Sequence, residues 1–108
     1  MKFTFENHTE IDFEDTTIEY LKEKIAHNMA YKTVQPNRFD RRRYKFMIMK
    51  IITLRMKGKS YKEIGDVIGR SSERVRQQIH RFFKRLRWCV EHNNQPYLIR
   101  SVHENETK

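Results

Sequence analysis

The string Ser71-Ser72-Glu73-Arg74-Val75-Arg76-Gln77, followed by His80, Arg81 and Lys84, gathers side chains of the types that can read base edges and grip phosphate. Arginine bonds guanine bidentately, glutamine suits adenine, and glutamate accepts from the cytosine amino group. On a helix opening at Ser71 or Ser72, the residues left outward near its start include Ser72, Glu73, Arg76 and Gln77, the candidate base-reading set. Ser71 and the unpaired N–H groups of the helix start can hold a phosphate. Arg74, His80, Arg81, Lys84 and the run Arg41-Arg42-Arg43 are candidate phosphate contacts. Arg85 and Arg87, later in the same stretch, reach a nucleic acid backbone more readily than bases.

These side chains need rigid elements to aim them. Ser60 and Glu63 have capping-box spacing, in which each side chain satisfies an orphan N–H of the other's backbone. The helix they open is short and ends near Ile68, with Gly69 beyond it. The next helix carries Val75, Ile79, Phe82, Phe83 and Leu86 on one stripe. Ile64, Ile68, Val75 and Ile79 are spaced to meet in the angle between the two, and Gly65 permits a close crossing. Two helices joined by a short glycine-containing turn make a helix-turn-helix pattern. The second helix of such a unit enters the major groove.

Upstream, Ile18, Leu21, Ile25 and Met29 predict a helix, opened by the capping-box spacing of Thr16 and Glu19 and faded before Pro36. A second helix starts near Asn37 or Asp40 and runs to about Met56, apolar on most sides in its later turns, with Gly58 placed to end it. Phe3 and Phe5 suggest a short strand or extended arm. Tyr97–Val102 reads as a strand that would pair with it, and the polar tail His103–Lys108 as disordered. The expected fold is mainly α: an acidic amino-terminal arm and helix over 1–36, a helix-turn-helix domain over 37–92 and a tail over 93–108.

Charge narrows the partner. The 108 residues hold 23 Lys+Arg against 14 Asp+Glu, a net charge of +9. Residues 1–40 hold 5 basic and 8 acidic side chains, and Arg41–Arg87 holds 16 basic and 3 acidic, a net of +13. A mild charge run is ordinarily a solvated face. An excess on this scale opposes a compact state through self-repulsion unless a polyanion offsets it; nucleic acid is the leading partner and a membrane surface the second, and the residue types at Ser71–Lys84 select double-stranded DNA. No apolar run approaches the roughly 20 residues that cross a bilayer, the start lacks a signal-peptide pattern, and one cysteine suits a reducing compartment. The expectation is a cytoplasmic, nucleoid-associated protein of one small domain.

Ser60 to Arg87 resembles region 4 of the sigma-70 family of transcription initiation factors. Ser60-Tyr61-Lys62-Glu63-Ile64-Gly65 is similar to its first helix, Ser71 to Gln77 to its recognition helix, and Lys84-Arg85-Leu86-Arg87 to its basic end. Ile52 to Met56 resembles its lead-in helix. The short Lys57-Gly58-Lys59 linker is closer to the extracytoplasmic-function sigma factors and to LuxR-type regulators. The resemblance covers about Arg43 to Trp88. It implies that Glu73, Arg76 and Gln77 match positions that read a −35 promoter element. It also implies that Arg74 and Lys84 lie near phosphates or polymerase, and that the lead-in helix docks on RNA polymerase. Ser72 stands where the primary factors commonly have Arg, and Gln78-Ile79 where they have Ile-Glu. Residues 1–40 are too few to supply a promoter-melting region, so the implied role is accessory promoter recognition or repression.

No enzyme is expected. There is no Gly-rich phosphate loop and no nucleophile elbow, and the sequence holds only 3 glycines. Cys89 and His92 have the spacing of half a zinc site with no second pair to finish it, so no metal or cofactor is expected. Trp88, Phe82 and Phe83 could stack on bases, but their helical spacing favours core or dimer packing. Two other functions remain open: an adaptor that docks on RNA polymerase, and an accessory protein of DNA packaging or recombination on phage or other mobile DNA. Homodimerisation is open as well, since a symmetric operator would require it.

Overall fold

The computed structural model describes residues 1–33 and 38–92, as two short strands and four helices in the order β1 (Lys2–Thr4), β2 (Glu10–Asp12), α1 (Asp15–Thr33), α2 (Arg38–Met56), α3 (Tyr61–Ile68) and α4 (Ser72–Glu91). The strand expected at Tyr97–Val102 and the tail after it lie outside the described residues. Phe3 does not need that strand: β1 pairs antiparallel with β2, in the register Lys2 to Asp12, Phe3 to Ile11 and Thr4 to Glu10. Among the described residues the short strand pair is this amino-terminal hairpin. Its turn is closed locally: Phe5 N–H donates to Thr9 O at 2.8 Å and His8 N–H to Phe5 O at 2.9 Å. Thr9 N–H donates to Asn7 Oδ1 at 3.1 Å. His8 sits at φ 66° in the left-handed region, and a short side-chain cap of this kind replaces strand bonding in a tight turn.

The hairpin is docked rather than extended as an arm. The two-residue strand period sends Phe3 inward while Lys2 and Thr4 stay exposed. Phe3 stacks on Phe83 of α4 with ring centroids 4.4 Å apart, and Phe13 packs on the same ring at 5.5 Å. The helical stripe Ile18, Leu21, Ile25 and Met29 of α1 is fully buried, as are Ile48, Ile51 and Ile52 of α2 and Val75, Ile79, Phe82, Phe83 and Leu86 of α4. All join one core with Ile64 of α3. Phe82 and Phe83 are thus core residues, not stacking platforms.

Helix ends follow their signals, with one correction. Ser60 and Glu63 form the complete capping box. Ser71 Oγ accepts from Arg74 N–H at 3.2 Å, a cap that contributes about 1 kcal/mol. Gly58 and Gly69 take φ 87° and 71°, conformations that favour glycine. α1, however, starts at Asp15, so Thr16 lies inside its first turn instead of capping it. Ile18 N–H donates to Glu14 O, one residue ahead of that start.

No helix among the described residues is long and apolar enough to cross a membrane.

Candidate nucleic-acid interface

α3 and α4 meet across the turn Gly69-Arg70-Ser71. The N–H groups of Gly69 and Arg70 both donate to Gly65 O. A Cβ on Gly65 would lie 2.4 Å from Arg70 O. The small residue therefore admits the turn itself, and through it fixes where α4 begins.

Seven buried positions fix how α4 is rolled: Val75, Gln78, Ile79, Phe82, Phe83, Leu86 and Cys89. At 100° per residue the opposite side carries Glu73, Gln77, Arg81 and Lys84, and all four are exposed, as are Ser72 and Arg74 near the helix start. Five of the residues assigned to bases or phosphate, together with Ser71, thus share an open surface with Gln77.

Arg76 is placed differently. Its Nε and Nη2 donate to the Glu73 carboxylate at 3.0 and 2.6 Å, and its Nη1 donates to Glu6 of the hairpin turn at 2.7 Å. The side chain is 29% exposed. A guanidinium forked onto one carboxylate and held by a second is committed within the molecule. Both carboxyl groups are held below the usual carboxylate range, first by hydrogen bonds from Arg76 and next, at Glu6, by its charge. The sequence reading of Arg76 as a freely projecting side chain is corrected on this point. The reason is tertiary, because Glu6 lies seventy residues away in the chain.

His80 also faces the hairpin. Its ring meets Phe3 edge-on at 4.9 Å. Burial, then the Arg76 charge, push its pKa below the ordinary value, so it is a weaker cation for phosphate than an exposed histidine. Arg85 does not point outward either: its Nε donates to Asn28 Oδ1 of α1 at 3.2 Å, and burial lowers its pKa. Arg87 pairs with Glu91 at 3.1 Å and lies over the Phe5 ring.

The run Arg41-Arg42-Arg43 does not act as one cluster, since successive helical residues diverge by 100°. Arg41 covers the Tyr31 ring and Arg42 the Phe46 ring. Only Arg43 turns towards the helix-turn-helix, where it shares a cleft with Arg70 and Arg74. Arg70 was missed in the sequence. Its one available signal was its position immediately ahead of the Ser71 cap.

Gln78 was legible as a departure, and its place is now explained. It is 1% exposed; the Tyr44 hydroxyl donates to its Oε1 at 2.7 Å, tying α2 to α4. Its Nε2 has no hydrogen-bond partner among the described residues. The apolar side of α2 packs against α1, α3 and α4 of the same chain: Ile48, Ile51 and Ile52 are fully buried and Phe46 is 52% exposed, while Leu54 and Met56, in the lead-in stretch that the resemblance places on polymerase, stay half-buried. Cys89 is buried, and desolvation pushes its thiol up to about 11. His92 stacks on Trp88 at 3.9 Å. Among the described residues no group of His, Cys, Asp and Glu is arranged to hold a metal ion.

Residues 47–87 match the family model for Sigma-70, region 4. The match takes in the second half of α2, all of α3 and most of α4, and leaves out the hairpin and α1. No curated protein and no solved structure matches the chain.

Proposed function

We propose, from the premise that residues 47–87 form a sigma-70 region 4-like helix-turn-helix, that the protein is a non-enzymatic, sequence-specific binder of double-stranded DNA acting in transcription control. α4 enters the major groove with its amino-terminal end leading. Ser72, Glu73 and Gln77 face the base edges. Arg76 braces the Glu73 carboxylate, and reads a base itself only on leaving Glu6. Arg81 and Lys84 on one flank, and Arg43, Arg70 and Arg74 on the other, neutralise phosphates of the two strands that border the groove.

One observation carries this reading: the polar row Glu73, Gln77, Arg81 and Lys84 is exposed on a helix whose opposite side is locked into the core. Core packing fixes the roll of the helix, so the outward row is pre-aimed and costs little further ordering on binding.

The test is selection of bound duplexes from a random pool, with and without RNA polymerase. A recovered motif supports the reading, and its form assigns the role. A palindrome indicates a dimeric regulator; a −35-like half-site recovered only with polymerase indicates an accessory factor. Gln77→Ala should relax preference at one position at a cost of about 1–3 kcal/mol, while Arg81→Ala should weaken all sequences alike. Recovery of no motif under either condition refutes sequence-specific binding.

A further inference from the structure

We propose that the hairpin turn and α4 together form a seat for the sugar-phosphate backbone of a DNA strand, so that the amino-terminal hairpin is part of the interface. This rests on the reading of α4 as a groove-entering helix. The cleft between them is lined by Phe5 and Asn7 from the turn and by Gln77, Arg81, Lys84 and Arg87 from α4. Gln77, Arg81 and Lys84 also belong to the outward row of α4. A strand bordering the groove that α4 enters therefore runs along this cleft.

The charge in the cleft suits a phosphodiester. Arg81 and Lys84 make no ion pair among the described residues. Glu6 also lines the cleft, and its charge there is offset by the ion pair to Arg76 at 2.7 Å. Asn7 adds a neutral amide, whose N–H groups donate to phosphate oxygens.

The seat is also preformed. Phe3 stacked on Phe83 anchors the hairpin to the helix, and the Glu6–Arg76 ion pair fixes the turn against it. Asn7 uses its Oδ1 on Thr9 N–H, which leaves its amino group for a ligand. A segment outside the family match thus extends the binding surface of the matched helix.

The test uses the full chain and a fluorescein-labelled mixed-sequence duplex, with anisotropy read across a salt series. Asn7→Asp keeps an oxygen for Thr9 N–H and adds one negative charge to the cleft. It should weaken binding about fivefold, the effect of one unit charge about 4 Å from a phosphate in water. Asn7→Lys should tighten binding and steepen the slope of log K against log salt by about 0.9. Lys24→Gln makes the same net charge change as Asn7→Asp, on the exposed surface of α1, and should alter affinity by less than about twofold through screening. Circular-dichroism melts establish that each variant is folded, and Asn7→Lys carries the test should Asn7→Asp unsettle the turn. Equal effects of Asn7→Asp and Lys24→Gln, or no change in salt slope for Asn7→Lys, overturn the seat and leave the reading of α4 standing. Failure of the unaltered protein to bind duplex at any salt overturns both.

Discussion

Gly65→Ala tests whether the turn between α3 and α4 is as tight as the geometry requires. In an ordinary helix interior the change should stabilise, because alanine is favoured over glycine by about 0.8–1.0 kcal/mol. Here the added Cβ would lie 2.4 Å from Arg70 O, 3.4 Å from Ser71 C and 3.5 Å from Arg70 C. All three are backbone atoms, so no side chain can rotate away. Reaching ordinary contact requires the turn to move by about 1 Å. Overpacking of that kind costs about 1–3 kcal/mol. The same movement disturbs the Arg70 N–H bond to Gly65 O, now 3.0 Å long, which contributes about 0.5–1.5 kcal/mol. Set against the propensity gain, the net expectation is a loss of about 1–3 kcal/mol. The assay is urea unfolding followed by circular dichroism, with a midpoint lowered by roughly 1 M at an unchanged slope. Gly58→Ala is the comparison: nothing lies within 4 Å of its Cβ, so only the left-handed backbone opposes it, at about 1–2 kcal/mol. Gly65→Ala with a midpoint equal to or above that of the parent would refute the close approach and the placement of α4 derived from it.

Two further outcomes are expected. Tyr44→Phe removes the donor to Gln78 Oε1 and leaves a buried amide with no partner at either end among the described residues, a loss of about 1–3 kcal/mol by urea midpoint; a neutral result would mean that water already serves Gln78. Stability should also fall as pH drops from about 7.5 towards 5, in part through His80. Its folded pKa lies below the ordinary 6.5, so between the two values the unfolded chain binds a proton that the folded chain refuses. The loss therefore begins near 6.5 and stops once the folded site titrates. Thermal melts of His80→Gln should show a shallower fall over this window, and an identical slope in parent and variant would remove His80 from the account.

Much of the scaffold was readable before any coordinates. The Ser60–Glu63 box, the Ser71 cap, the two positive-φ glycines and the apolar stripes of α1 and α4 all involve residues within a few positions of one another. Their physics is local, and periodicity exposes it. The outward placement of Glu73, Gln77, Arg81 and Lys84 followed from the same stripe, because knowing the buried side of a helix fixes the other. The pairing of Phe3 was not readable. A three-residue strand has too little pattern to name its partner, and β2 competes with any other extended segment. Arg41–Arg43 read as a cluster because adjacency in sequence was mistaken for adjacency in space, which a helix denies.

Residue order by itself determined the helices, the caps of α3 and α4, the tight turn and the chemistry on the outer side of α4, since each depends on neighbours along the chain. Only the tertiary structure decided which of those side chains are free. Glu6 reaches Arg76 across seventy residues, Asn28 takes Arg85, and α1, α3 and α4 pack against the apolar side of α2. Ion pairs and packing between distant segments depend on where the chain returns to itself, and backbone propensity carries no record of that return.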